Sequence, residues 1–266
     1  MQTRKMKRMP VVFGPTPGPR QAPEGVKYNP ELCPLRTTVF ARFEADATRL
    51  KAIIPDGFEL SGVPSVIFEF TYLTEIDWLA GRGYNILAVK IPVKYRSNDV
   101  SVEGLFQPVI WENMADPIIS GREELGYSKI FAELPPIKSF GGRITCDALW
   151  DGFRFLRLTL SDVQETPIQA SAPVPLFHQK YIPTTQDWGV ADADYITVNR
   201  NLDSPTKVLS QFRGHAELRF NVPDWEDMPT QYHIVQGLAS LGIQNPIAAG
   251  MVKCQGAKDL SDQEKW

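Results

Sequence analysis

Residues 121–134 read GREELGYSKIFAEL, and one lysine, Lys129, stands there between Tyr127 and the apolar pair Ile130 and Phe131. A lysine amine can attack a ketone or aldehyde and form a Schiff base, but only as the free base. With an ordinary pKa near 10.4, fewer than about one lysine in a thousand is unprotonated at neutral pH. Burial among apolar side chains, or a second cation close by, lowers that value by as much as several units. The neighbours of Lys129 offer the first device. Composition alone would make it a solvated surface charge, as most lysines are.

A second group with chemical potential is Glu69, inside VIFEF and on the opposite strand face from Phe68 and Phe70. Such a carboxylate either faces water or points into an interior. In the interior it needs a cation or a proton to offset its desolvation. A lysine across the same cavity would meet that need.

Other chemistries lack their residues. There is no G-x-S-x-G elbow, and His178, His215 and His233 show neither H-x-x-x-H nor H-E-x-x-H spacing, so neither a hydrolase triad nor a metal site is expected. The stretch GRGYN at 81–85 lacks the third glycine of a dinucleotide loop and leads into a strand instead of a helix. A P-loop is missing too, and no cofactor is expected.

The elements that must position these groups are mostly strands. LRTTVFARFEA and SVIFEFTYLTEI alternate and are rich in β-branched and aromatic residues, and YNILAVKIPVKY, LFQPVIWENM, GGRITCDALW, GFRFLRLTL, HQKYIP, DYITVNRNL and HAELRFNV follow with turn residues between them. Helical periodicity is confined to 45–54, 118–126 and 230–243. The expected class is α+β, mainly antiparallel β, as a barrel or a sandwich. Residues 1–32 form a Pro-rich arm, with prolines at 10, 15, 17, 19, 23 and 30, that is either loose or wrapped over a domain. Residues 33–255 form the β domain and 256–266 a polar tail.

Composition narrows the function classes. Of 266 residues 43% are hydrophobic and 22% charged, enough for a sizeable core. The net charge of −3, with only a short basic cluster at Arg4, Lys5, Lys7 and Arg8, argues against a nucleic-acid partner. The apolar stretch after that cluster is too short and too broken by proline for a signal-peptide core, and no window approaches the roughly 18–20 apolar residues of a membrane span. Cys33, Cys146 and Cys254 are far apart and suit a reducing compartment, so a cytoplasmic location is expected.

Motif order adds a resemblance. GREELGYSK is similar to the active-site segment of the acetoacetate decarboxylase superfamily, in which G-R-E and an aromatic residue precede the Schiff-base lysine at this spacing. VIFEF resembles that family's strand with an active-site glutamate, matched by Glu69, and GYNILAVKIPVKY its Y-N-E strand ending in I-P-V. HQKYIP resembles its K-x-I-P strand, and GHAELRFNVPDWEDMPTQYHIVQG its G-x-A-x-L-x-F strand and the segment after it. About 35–245 is covered in order.

The resemblance implies a cone-shaped, mostly antiparallel β barrel with peripheral helices, a homo-oligomer, and an active site inside the cone. It implies a lyase in which Lys129 forms an imine with a carbonyl or keto-acid substrate and Glu69 is the acid/base. Arg122, Tyr127, Phe68, Tyr84 and Ile86 would line the substrate, with Arg122 chiefly bracing the segment. In the decarboxylases a second lysine directly follows the nucleophile and lowers its pKa; here that position is Ile130. The carboxylate of Y-N-E is replaced by Ile86, and Gly237 is followed by Leu238 where some members carry an aromatic residue. Arg36 lies close in position to the arginine that serves the substrate carboxylate. These departures imply a more apolar pocket and leave decarboxylation, aldol and dehydration chemistry open. The alternatives are a non-covalent binder, cyclase or isomerase of a hydrophobic small molecule, and a non-catalytic paralogue in which Lys129 and Glu69 pair with each other.

Overall fold

The computed structural model describes residues 5–97, 100–169 and 172–266. Residues 1–4 of the arm, Arg4 among them, lie outside the described residues. The strands are β1 (Leu35–Glu44), β2 (Phe58–Leu60), β3 (Ser65–Ile76), β4 (Arg82–Ser97), β5 (Val100–Glu112), β6 (Lys129–Phe131), β7 (Lys138–Phe140), β8 (Arg143–Trp150), β9 (Phe153–Thr166), β10 (Leu176–Pro183), β11 (Ala191–Asn199), β12 (Lys207–Phe220), β13 (Pro246–Gln255) and β14 (Glu264–Lys265). They form one sheet in the order β14-β11-β10-β5-β4-β3-β1-β13-β12-β9-β8-β7, with β2 added on β4 and β6 on β5. Neighbours pair antiparallel except where β5 meets β10 and β6. Mainly antiparallel β is therefore what forms. A closed barrel is not: among the described residues nothing pairs β14 with β7. Those edge strands are two and three residues long and carry Lys265 and Lys138, features that blunt an edge and do not invite closure.

Alternation along the central strands separates two faces. Val66, Phe68 and Phe70 of β3, Leu87, Val89 and Ile91 of β4, and Val39 and Ala41 of β1 point into one hydrophobic core, completed by Trp111, Phe155 and Phe177. Burying a Phe or Leu side chain contributes about 1.5–3 kcal/mol, so this face is the main source of stability. The other face carries Thr71, Lys90, Gln107, Glu112, Lys129, His178 and Thr197, and these are buried too. The sheet thus buries polar side chains on the face opposite the core.

Two of the three helices fall inside the stretches that periodicity placed, shortened, while the middle one begins at Ala115, ahead of the expected 118–126. They are α1 (Ala47–Lys51), capped by Asp46 accepting from the Arg49 amide, α2 (Ala115–Ser120) and α3 (Tyr232–Ala239). Among these no helix is long and apolar enough to cross a membrane. α2 does not end at Ser120: its backbone widens into a π-helical turn over Gly121–Leu125, which stops at Gly126 in the left-handed conformation (φ 79°). The arm is wrapped: Arg8 and Arg20 both pair with Glu124 of that turn. The tail also folds back, with β14 on β11 and the Trp266 ring 5.3 Å from Tyr95 and 5.8 Å from Phe177.

Candidate active site

The segment that carries Lys129 is held on every side. After Gly126 the chain turns back, Arg122 donates to the Lys129 carbonyl at 3.0 Å, Lys180 of β10 donates to the Glu123 carbonyl at 2.6 Å, and Thr197 of β11 donates to the Leu125 carbonyl at 2.9 Å. The short strand β6 then pairs parallel with β5, Ile110 opposite Lys129. Arg122 thus ties the π turn to the backbone of Lys129.

The Lys129 side chain is buried and passes directly over Gly121. A β-carbon built at Gly121 would lie 2.6 Å from Lys129 Cε and 2.8 Å from Nζ, closer than real Cβ atoms come. The glycine at 121, eight residues before Lys129, therefore has a steric reason. At its tip Nζ lies 2.9 Å from Glu112 Oε1 and donates to the Pro117 carbonyl of α2 at 3.1 Å, with the Tyr127 ring centroid 5.4 Å away. Glu112 is fully buried, and neither of its oxygens has an aligned hydrogen-bond donor although the amine stands at ion-pair distance. Burial pushes its carboxyl above the ordinary range, and the Lys129 charge only partly opposes this.

Sequence reasoning missed Glu112. Its position was visible only as a polar interruption in VIWEN, and nothing local distinguishes it from a strand end. The pairing shows its meaning: Glu112 of β5 stands directly opposite Ile86 of β4. The carboxylate absent at Ile86 has a counterpart one strand over.

Glu69 is elsewhere. It shares a cross-strand row with Ala88, Ile110 and Lys129, but three strand spacings separate its strand from β6, roughly 14 Å along the sheet. Its partner is Lys90, at 2.6 Å. Glu69 and Lys129 face the same interior without touching. Tyr84 lies within electrostatic reach of Glu112 and Tyr127, and burial, followed by those two groups, pushes its phenol well above the ordinary range. Phe68 must be corrected: fully buried and packed on Phe43 and Phe220, it points into the hydrophobic core, because it is one residue out of phase with Glu69. Ile130 likewise alternates away from Lys129 and packs on the core. The face that carries Lys129 holds buried Lys90, Glu112 and His178 and half-buried Glu69 beside Ile86, Ala88 and Ile110.

His178 is the other residue that sequence reasoning passed over. It is fully buried, stacked on Tyr127 with centroids 3.8 Å apart and planes 21° apart. Burial, then the charges of Lys129 and Lys90, hold it well below the ordinary histidine range, so the ring is neutral. A groove of about 250 Å³ touches Arg122, Tyr127, Ser128 and Ile130 from the outer side and does not reach Lys129. Among the described residues no cluster of three or more metal-ligating side chains occurs.

The family model for acetoacetate decarboxylase (ADC) matches residues 8–253. A search of the curated proteins finds no match. Among solved structures, the acetoacetate decarboxylase of Legionella pneumophila subsp. pneumophila str. Philadelphia 1 superposes with a TM-score of 0.67 at 17% identity, covering 93% of each chain. The enduracididine biosynthesis enzyme MppR complexed with pyruvate gives 0.61 at 15% identity, over 88% of this chain and 90% of that one. An acetoacetate decarboxylase-like enzyme from Sphingomonas wittichii RW1 gives 0.62 at 15%, over 92% and 98%. At such identities these likenesses speak for the fold, whereas the family match spans almost the whole chain in sequence. With the lysine segment, the mainly antiparallel sheet and the buried polar face all in place, the chain belongs to the acetoacetate decarboxylase family.

Proposed function

We propose that this chain is an acetoacetate decarboxylase-like lyase in which Lys129 binds a small carbonyl compound as an imine. The observation that supports it most is the buried pairing of Lys129 with Glu112, on the segment held over Gly121. Without a lysine at 130, the free amine has to come from elsewhere. A carboxyl with raised proton affinity beside the amine can take its proton, because a neutral pair is cheaper to keep out of water than two charges. The amine nitrogen then forms a bond to the carbonyl carbon, the oxygen takes up two protons, one from that nitrogen and one returned by the Glu112 carboxyl, and water leaves as the C=N bond forms. The resulting iminium accepts the electron pair freed when a carboxylate departs as CO2 or when a proton leaves the adjacent carbon. Glu112 is placed to shuttle the protons; Glu69 with Lys90 bounds the far side of the same interior.

Borohydride reduction in the presence of acetoacetate, pyruvate or acetone, followed by peptide mass spectrometry, tests this. A reduced adduct on Lys129 is expected, and none with any of the three compounds would sink the imine. A second reading is favoured by the Pro117 carbonyl, which already accepts from Nζ: a non-covalent binder in which Lys129 is a hydrogen-bond donor. Lys129→Ala separates them, abolishing turnover in the first case and lowering it modestly in the second.

A further inference from the structure

We propose that His178 is a substrate-binding residue, whose imidazole hydrogen-bonds a second, uncharged oxygen, a hydroxyl or carbonyl, on the compound that meets Lys129. The inference rests on the imine reading for which compound arrives, but not for what His178 does. A neutral imidazole has one donor and one acceptor nitrogen, and leaving either unpaired in an interior is costly. His178 is fully buried, and neither nitrogen has a partner. Its polar neighbours bond elsewhere. Opposite it on β11, the Thr197 hydroxyl donates to the Leu125 carbonyl, and the Lys90 amine is bonded to Glu69.

The topology puts this ring in line with the lysine. β10 pairs with the edge of β5 only as far as Phe177 and Phe106, and β6 takes up the same edge at Ile110. Tyr127 fills the interval, with His178 stacked on its ring and the Lys129 amine 5.4 Å from the ring centroid. A ligand bonded to the amine would reach the imidazole by lying along the Tyr127 ring, which both groups approach. Charge selects the oxygen. Lys90 is matched by Glu69 and Lys129 by Glu112, so an anionic group at the His178 end would find no unmatched cation among these neighbours.

Protein labelled with nitrogen-15 in its histidines, titrated with 2-butanone, 4-hydroxy-2-butanone and 4-oxopentanoate, tests the assignment. Wild type should bind the hydroxyketone about tenfold more tightly than 2-butanone, the increment of one good hydrogen bond. The imidazole signals that do not titrate near neutral pH should move as it binds. His178→Phe, which keeps a ring on Tyr127 without nitrogens, should erase the preference. Equal affinities in wild type, unmoved imidazole signals at saturation, no binding of either ketone, or tightest binding of 4-oxopentanoate would each overturn it. A buried water as sole partner gives the unmoved signals. Should the phenylalanine variant not fold, the wild-type titration decides alone. If ketones move the His178 signals but borohydride traps nothing on Lys129, the imine reading fails and this one stands.

Discussion

Lys129 and Glu112 form a buried pair whose members depend on each other unequally. Removing Glu112 leaves the buried Lys129 amine without its partner beside α2, and breaking a buried pair from one side costs about 3–5 kcal/mol. Glu112→Gln keeps the volume while removing the proton acceptor, so the rate of borohydride-trapped adduct formation should fall about 10²- to 10⁴-fold, the range of a lost acid/base. Glu69→Gln should slow it far less, because Glu69 contacts Lys90 and not Lys129. Combining Glu112→Gln with Lys129→Met should recover most of the lost stability in thermal unfolding, since the unpartnered buried amine is gone. If Glu69→Gln proves the more damaging for adduct formation, Glu69 regains the acid/base role that its strand suggested. At this scale the lysine was legible because its whole segment carries the pattern. Glu112 was not, since its role arises from a parallel β5–β6 contact that no local spacing encodes.

The element that delivers Lys129 is the junction of α2 and its π-helical turn. A π-turn inserts backbone relative to an α-helix and often marks a functional site. Here it ends in Gly126 and lets Lys129 cross Gly121. Gly121→Ala should leave the sheet folded, with circular dichroism unchanged, while displacing the amine. A displacement of about 1 Å is enough to cost about 10²-fold in the chemical step. Wild-type rates of adduct formation in this variant would show that the lysine does not work from the observed position. The periodicity over 118–126 pointed to this helix but could not show its widening, which is a matter of hydrogen-bond register. The long alternating strands were legible for the same reason that the core is: apolar residues recur every second position. β13 was not. PIAAGMVKCQ lacks that alternation, and Gly250 is there because the Phe212 backbone of β12 leaves no room for a β-carbon. β6, β7 and β14, at two or three residues, are set by pairing alone.

On the scale of the molecule, arm, tail and sheet converge on one segment: Arg8 and Arg20 reach Glu124, and Gln263 lies 3.3 Å from the Tyr127 hydroxyl. The enclosed polar face gives the folded state opposing proton linkages. His178, facing Tyr127, Lys129, Lys90 and Thr197, is held neutral, mainly by burial, so its folded pKa lies well below the ordinary 6.5. As pH falls below about 6.5 the unfolded chain takes up a proton that the folded one refuses, and stability drops by up to about 1.4 kcal/mol per pH unit. Glu112 has the opposite sign. Its folded pKa is raised above 4.5, so its contribution is complete below that value and is lost as pH rises through the folded value. Urea unfolding of wild type between about pH 5 and 8 should therefore show the steeper loss on the acid side if the imidazole dominates. His178→Gln should flatten that acid limb, and Glu112→Gln should flatten the loss toward higher pH. An acid limb unchanged in His178→Gln would mean that the ring is protonated in the folded protein, and the site would then hold a cation where the buried face shows a neutral donor.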